Sequence, residues 1–209
     1  SGFIFALQTA NSFIVSGSFK TILVIGADDL SKIIDWNDRK TCVLFGDGAG
    51  AAVVRASEEG VFSGIMKSDG SKGPVLSCLA RSGGNFLTGK TPKMGYLSMD
   101  GQEVFKFAVK KVPECIEELL SGQGIRKEEI RYYILHQANE RIIEAAARRL
   151  KEPMEKFPMN IREYGNTSAA TVPILLDELN REGKLIRGDK LVLAGFGAGL
   201  TWGAAVLEW

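Results

Sequence analysis

The sequence predicts an α/β protein in which helices and sheets alternate in five layers, α/β/α/β/α, with an internal pseudo-twofold duplication. Short apolar runs alternate with segments of helical periodicity along the whole chain. One order of elements, helix then strand then strand, also occurs twice. Residues 1–26 match residues 167–195 in this order, and Gly50-Ala-Ala-Val-Val54 matches Gly203-Ala-Ala-Val-Leu207.

The first copy begins with a predicted helix over 2–17, where apolar side chains recur at helical spacing and Gly17 ends the helix. A continuous apolar run predicts a strand over 20–26. After a polar loop, residues 41–45 form a second strand-like apolar run. A glycine turn leads into a predicted strand over 49–56. We expect the strands of the fold to be largely parallel and buried on both faces.

The remaining elements follow from the same patterns, except for an irregular excursion that is long enough to carry function. They are, in chain order, strand 61–67, the irregular excursion 68–98, helix 102–121, strand 131–135, helix 139–150, a short strand near Phe157, helix 167–182, and strands 190–195 and 202–208. We assign residues 1–57 to the C-terminal part of a first half and residues 58–209 to a second half. The chain lacks an initiator Met, so we expect a fold that is incomplete at its N-terminus.

Composition excludes several classes of function. Lys and Arg total 26 against 25 Asp and Glu, and the net charge of +1 carries no signature of nucleic-acid binding. No apolar run reaches the roughly 18 residues that span a bilayer, so we expect a cytoplasmic protein that does not bind a membrane. Three cysteines without a CxxC motif, and a single histidine, predict no metal site.

Two polar residues form the candidate catalytic pair. His136, the only histidine, follows an apolar run that predicts a buried strand, and Asn166 precedes an amphipathic helix. Such positions deliver side chains into a shared crevice. A lone histidine on an apolar element is more often structural, but the pairing and the repeat favour catalysis. Aligning Gly17 with Gly183 also places Asn166 opposite the position before Ser1.

Four strings extend this pattern to the whole chain. They are His136-Gln-Ala-Asn139, Gly165-Asn-Thr-Ser-Ala-Ala170, Phe45-Gly-Asp-Gly-Ala-Gly-Ala-Ala52 and Gly195-Phe-Gly-Ala-Gly-Leu-Thr-Trp-Gly203. Together they resemble the motif set of the β-ketoacyl-acyl-carrier-protein synthase III family, whose members have the thiolase fold. The resemblance implies a thiolase-like fold, and the chain accounts for about the last two thirds of such an enzyme. It also implies a nucleophilic cysteine immediately before Ser1, outside this sequence.

The resemblance implies a decarboxylative condensation and a role for each matching residue. His136 and Asn166 would donate hydrogen bonds to the enolate that forms when malonyl carrier protein loses carbon dioxide, and the Ala198 N–H would belong to the oxyanion hole. Substrate-binding roles are implied for Arg39 at the coenzyme A nucleotide, Asn139 at pantetheine, Gln102 and Phe105 along the tunnel, and Phe196 as its gatekeeping aromatic. Some relatives have Asn where this chain has Gln102.

The expected partners follow from that chemistry. They are acyl-CoA as a substrate rather than a cofactor, an acyl carrier protein, a second copy of the chain in a homodimer, and the missing N-terminal segment. On the predicted helix over 139–150, Arg141 and Arg148 share a face and Arg149 lies nearby. This local basic patch suits an acidic carrier protein despite the neutral total charge.

Several alternatives stay open. Elongating synthases use two histidines, and this chain has one. Chalcone-synthase-like and hydroxymethylglutaryl-CoA-synthase-like enzymes fit on residue types, although the strings favour synthase III. A non-catalytic fragment that only binds acyl-CoA or carrier protein is a further candidate. A nucleotide-binding regulator would use Gly46–Gly50, but that string lacks the Lys-Ser/Thr of a P-loop.

Overall fold

The computed structural model describes residues 1–78, 81–82, 85–91 and 93–209. Its helices are α1 (Gly2–Val15), α2 (Gly101–Gln123), α3 (Glu140–Leu150), α4 (Ile161–Tyr164) and α5 (Thr171–Arg181). Its strands are β1 (Thr21–Asp28), β2 (Gly48–Arg55), β3 (Phe62–Ser68), β4 (Leu76–Cys78), β5 (Arg81–Ser82), β6 (Lys93–Met94), β7 (Leu97–Met99), β8 (Ile130–Leu135), β9 (Lys190–Gly197) and β10 (Thr201–Glu208). Among the described residues, no helix has the length and apolar character needed to cross a membrane.

A four-stranded sheet in the order β3-β10-β9-β8 forms the centre of the fold. β8 runs parallel to β9, and the other two pairs are antiparallel. One face packs on α2 and α3, and the other packs on α1 and α5. Because both faces are covered, most of β9 and β10 is buried, which explains their continuous apolar sequences. Each large apolar side chain buried here stabilises the fold by roughly 1.5–3 kcal/mol.

Side-chain caps determine where the helices near the centre begin. The Asp100 carboxylate accepts hydrogen bonds from the Gln102 and Glu103 N–H groups, both at 3.1 Å, at the start of α2. Asn139 Oδ1 accepts the Arg141 N–H at 2.9 Å and starts α3 in the same way. α2 ends at Gly124, whose φ of 64° suits a residue without a side chain.

The smaller sheet of β1 and β2 differs from the predicted parallel, doubly buried arrangement. The two strands pair antiparallel along their whole length. Val24 is buried against the helices on the inner face, whereas Leu23, Ile25 and Val53 on the outer face are 58%, 59% and 70% exposed. The expectation of parallel strands was therefore wrong for this pair, and among the described strands it holds only for β8 with β9.

The repeated order of elements is visible in the structure. α1, β1 and β2 follow one another as α5, β9 and β10 do, and both strand pairs are antiparallel. The connections differ, because β1 and β2 are separated by residues 29–47, whereas β9 and β10 are joined by the turn at 198–200. The pseudo-twofold relation and the boundary after residue 57 stay predictions.

Two predicted strands need correction. Residues 41–44 are turns, and Phe45 makes only an isolated bridge to Asn166, so this apolar run is no strand. The strand expected near Phe157 is a 3₁₀ turn over Met154–Lys156, because prolines at both sides of this segment interrupt any backbone ladder.

The excursion over 68–98 is more regular than expected, with a 3₁₀ segment at Gly70–Val75 and β4–β7. Residues 79, 80, 83, 84 and 92 of that excursion lie outside the described residues. The predicted helix over 167–182 starts with a separate 3₁₀ turn, Ser168–Ala170, before α5.

Gly26 in β1 passes so close to the 3₁₀ turn that a Cβ there would overlap the Ala169 carbonyl group. We predict that Gly26→Ala lowers the free energy of unfolding by about 1–3 kcal/mol, since the backbone must shift to relieve the overlap. Urea denaturation measures the effect. Gly122→Ala is the matched control, because nothing lies within 4 Å of its Cβ position in α2. That change should be neutral or stabilising by about 1 kcal/mol, and an equal loss in both variants would contradict the prediction.

Candidate active site

Two cavities at the carboxyl ends of β8 and β9 share part of their lining. Their volumes are about 140 Å³ and about 430 Å³. The residues that line both are Phe45, Leu76, His136, Asn166, Phe196 and Gly197. The predicted catalytic pair is therefore brought together at one opening, as the strand-end and helix-start positions indicated.

His136 is held rigidly at the end of β8. Its N–H donates to the Ala194 carbonyl at 2.8 Å, which continues the parallel pairing of β8 with β9. Its side chain is only 8% exposed, with Nδ1 at 2.8 Å from Thr171 Oγ1 and the Phe196 ring packed edge-on at 5.3 Å. Burial lowers the pKa of His136 to about 3, so the imidazole is neutral near pH 7. Nε2 is the ring nitrogen left for a ligand.

Asn166 lies in a segment that pairs with the first half of the chain. Its N–H donates to the Leu44 carbonyl at 2.9 Å, and its own carbonyl accepts the Gly46 N–H at 3.0 Å. A Cβ at Gly46 would overlap the Tyr164 carbonyl, so only glycine allows this approach. The close packing of this string agrees with a tight structural turn rather than a phosphate cradle.

The amide of Asn166 has a defined orientation. The Ser168 N–H donates to Asn166 Oδ1 at 2.9 Å, which directs the amide nitrogen away from the 3₁₀ turn. Ser168 has a φ of 51°, in the left-handed region that is costly for a residue with a side chain. The Ala169 N–H in the same turn donates to Asp28 Oδ2 at 2.9 Å. Asp28 therefore anchors the strained turn from β1.

The start of α1 faces the larger cavity beside the turn between β9 and β10. Ser1 and Ala198 both line this cavity. Ser1 Oγ lies 2.7 Å from Thr201 Oγ1, and the Thr201 hydroxyl donates to the Ala198 carbonyl at 3.0 Å. The amino end of a helix carries a partial positive charge and unpaired N–H groups. This corner of the cavity thus favours negative charge.

The predicted substrate-binding residues fall into two groups. Phe105, Asn139 and Phe196 line the smaller cavity. Gln102 is exposed on the first turn of α2, and Arg39 is exposed in the loop before Phe45. Both lie outside the lining of the two cavities.

The three arginines of the predicted docking patch have different surroundings. The Arg141 guanidinium lies over the Phe105 ring at 5.7 Å, next to the smaller cavity. Arg148 lies 3.7 Å from Glu144, and Arg149 lies 3.1 Å from Glu114. Part of the positive charge of the patch is therefore already balanced by carboxylates of the same chain.

Sequence reasoning missed Thr171 and Asp28. Thr171 is 2% exposed and contacts His136, but the contact depends on how α5 packs against β8, and no spacing in the sequence reveals it. Asp28 looks like an ordinary polar residue at the end of a strand. Within the described part of the chain, no group of three or more His, Cys, Asp or Glu side chains could hold a metal ion.

Comparison with known proteins agrees with this geometry. Two family models match the chain: 3-oxoacyl-[acyl-carrier-protein] synthase III over residues 1–70, and the C-terminal part of the same family over residues 120–209. Beta-ketoacyl-[acyl-carrier-protein] synthase III of Clostridium acetobutylicum is 50% identical over 211 residues, which cover 100% of this chain and 65% of that protein. The enzyme of the same name from Prochlorococcus marinus is 51% identical over 218 residues, again over 100% of this chain and 64% of the relative.

Solved structures give the same result. The crystal structure of 3-oxoacyl-[acyl-carrier-protein] synthase III from Aquifex aeolicus superposes with a TM-score of 0.90 at 47% identity, over 100% of this chain and 64% of that chain. The enzyme from Pseudomonas aeruginosa gives 0.91 at 38% identity over the same shares. The predicted thiolase-like fold is thereby confirmed, and the chain spans about 65% of the length of the curated relatives. The chain belongs to the 3-oxoacyl-[acyl-carrier-protein] synthase III family.

Proposed function

We propose that this chain is the catalytic part of an acyltransferase. It would condense a short acyl-CoA with malonyl carrier protein, with loss of carbon dioxide, and so start type II fatty-acid synthesis. The observation that carries the proposal is the pairing of His136 with Asn166 at the opening of a cavity lined by apolar side chains. The names of the relatives support the same reaction.

Decarboxylation is the step that this pair would accelerate. When the carboxylate of a malonyl thioester leaves as carbon dioxide, its bonding electrons form an enolate, and negative charge moves to the thioester oxygen. His136 Nε2 and the Asn166 amide nitrogen would donate hydrogen bonds to that oxygen. In a site closed to water, such preorganised donors stabilise developing charge by several kcal/mol.

The acyl-transfer step would use the start of α1. We propose a cysteine immediately before Ser1 as the nucleophile, because Ser1, which would follow it, lies at the positive end of α1 and lines the larger cavity. Its thiolate would attack the acyl-CoA carbonyl, form an acyl-cysteine and release coenzyme A. The Ala198 N–H would stabilise the oxyanion of that step. The enolate carbon would then attack the acyl-cysteine carbonyl, which forms the new carbon–carbon bond, breaks the carbon–sulfur bond and releases the cysteine thiolate.

The binding roles of the surrounding residues are also proposals. Asn139 and Phe105 line the smaller cavity, where a pantetheine arm would approach His136. Arg141 beside this entrance would contact a phosphate or an acidic surface of the carrier protein. Arg39 and Gln102 receive weaker support, since both lie outside the cavity lining. The proposed location of the protein is the cytoplasm.

The exposed apolar side chains on the outer face of β1 and β2 favour contact with further polypeptide. Leu23 lies opposite Val53 and Ile25 opposite Ala51, so apolar side chains face each other across this exposed surface. A face of this kind is normally covered. We propose that a segment N-terminal to Ser1 covers it, and that the complete protein forms a homodimer.

His136→Ala and Asn166→Ala should each lower the rate of malonyl-thioester decarboxylation about 100-fold, the usual effect of removing one such donor. Carbon dioxide release from malonyl-CoA or malonyl carrier protein measures the rate, and this step needs no nucleophile. Asn180→Ala is the matched control, because Asn180 is an exposed asparagine of α5 away from the cavities. Unchanged decarboxylation in both site variants would refute the proposed function.

The imidazole of His136 should stay neutral from pH 8 down to pH 5, because its pKa is lowered to about 3. As the only histidine, it gives one unambiguous set of ring signals in an NMR titration. In the unfolded chain the same group takes up a proton near pH 6.5. The native state therefore loses stability as the pH falls from about 6.5 towards 3. A native midpoint near 6.5 would show that the pKa is not lowered.

Arg141→Glu should raise KM for malonyl carrier protein about 10-fold, because it reverses a charge beside the proposed entrance, and it should change kcat little. Arg131→Glu is the control, since Arg131 also lies over an aromatic ring, Tyr132 at 4.9 Å, but Tyr132 lines neither cavity, whereas the Phe105 ring beneath Arg141 lines the smaller one. Equal effects of the two substitutions would argue against docking at Arg141.

A further inference from the structure

The contact between His136 and Thr171 carries an inference about the proton on the imidazole. The Thr171 hydroxyl has two acceptors within reach, His136 Nδ1 at 2.8 Å and the Ser168 carbonyl at 3.1 Å. It has one hydrogen, so it can donate to only one of them. If it donates to Nδ1, the proton of a neutral imidazole must lie on Nε2. If it donates to Ser168, Nδ1 can carry the proton and Nε2 becomes an acceptor.

Hydrogen-bond satisfaction around Ser168 favours donation to Nδ1. The Ser168 carbonyl already accepts the backbone N–H of Thr171 at the end of the 3₁₀ turn. It therefore has a partner without the hydroxyl. Nδ1 of His136 is deeply buried and has the Thr171 hydroxyl as its only hydrogen-bond partner among the described residues. In the other tautomer Nδ1–H donates to Thr171 Oγ1, and the hydroxyl must then donate, over the longer of its two distances, to a carbonyl that already has a backbone donor.

The electrostatics of α5 point the same way. Thr171 is the first residue of α5, so its surroundings carry the partial positive charge of a helix amino end. A lone pair on Nδ1 is attracted to this end, whereas an N–H bond aimed at it is repelled. Burial in turn keeps the ring neutral, so the two tautomers are the states that compete.

We propose that Thr171 is a positioning residue that selects the Nε2–H tautomer of His136 and so makes the imidazole a hydrogen-bond donor towards the cavity. Ser168 has the corresponding effect on Asn166, since its N–H holds Oδ1 and turns the amide nitrogen outwards. One short segment, 168–171, thus gives both side chains donor character. The consequence for decarboxylation rests on the proposed function, but the tautomer itself does not.

Nitrogen NMR of the folded chain tests the tautomer directly, because a single histidine contributes the only imidazole signals. Nδ1 of the wild type should resonate as an unprotonated nitrogen and Nε2 as a protonated one. In Thr171→Val the two nitrogens should move towards each other as the tautomers mix, and Thr171→Ser should restore the wild-type pattern. Thr41→Val is the matched control, because Thr41 is equally buried at 2% exposure but bonds to Asp38.

The rate of malonyl-thioester decarboxylation provides the second measurement. We expect a loss of about 10-fold in Thr171→Val, little change in Thr171→Ser, and none in Thr41→Val. A protonated Nδ1 in the wild type, or an unchanged pattern in a folded Thr171→Val, would overturn the proposal. If Thr171→Val does not fold, the wild-type spectrum decides alone. An inactive wild type with a protonated Nε2 would refute the proposed function and leave the tautomer assignment standing.

Discussion

The burial of one imidazole is the constraint on which the site depends. His136 ends the only parallel strand pair among the described residues, where the sheet is covered on both faces, so its ring loses contact with water. Removing solvent disfavours the imidazolium and leaves a neutral ring that can donate or accept a hydrogen bond but carries no charge. The neighbouring groups at the site then determine whether the ring donates or accepts a hydrogen bond. A more exposed strand end would have left a titrating histidine with less defined chemistry.

The two halves of the chain contribute unequally to this arrangement. Residues 58–209 supply both candidate donors, whereas residues 1–57 supply the start of α1. Leu44, Gly46 and Asp28 also bond to the segment that carries Asn166. The strained Ser168 backbone persists because several contacts hold it at once. The site therefore depends on contacts between segments that lie far apart in the sequence.

Much of the fold and the candidate pair His136 and Asn166 could be predicted from the sequence. Apolar periodicity located most helices and strands, and the strings around His136 and Asn166 indicated the family. The failures have physical reasons. In the run at 41–45, Leu44 and Phe45 line a cavity while Val43 is 66% exposed, so apolar residues that pair with no neighbouring strand imitated one. The antiparallel pairing of β1 with β2 depends on contacts between residues far apart in the chain, and the apolar pattern of each strand does not reveal its direction. Thr171 escaped notice because its role arises from packing between elements distant in sequence.

The close approach at Gly26 and Gly46 has a consequence for how such a protein can change over time. At both positions a single methyl group would collide with backbone rather than with a side chain that could rotate away. Neighbouring substitutions cannot relieve such a collision, because they alter side chains and leave the peptide groups in place. No single substitution at Gly26 or Gly46 is therefore expected to leave stability unchanged. The proposed reaction chemistry would restrict His136 and Asn166, whereas steric exclusion alone restricts Gly26 and Gly46.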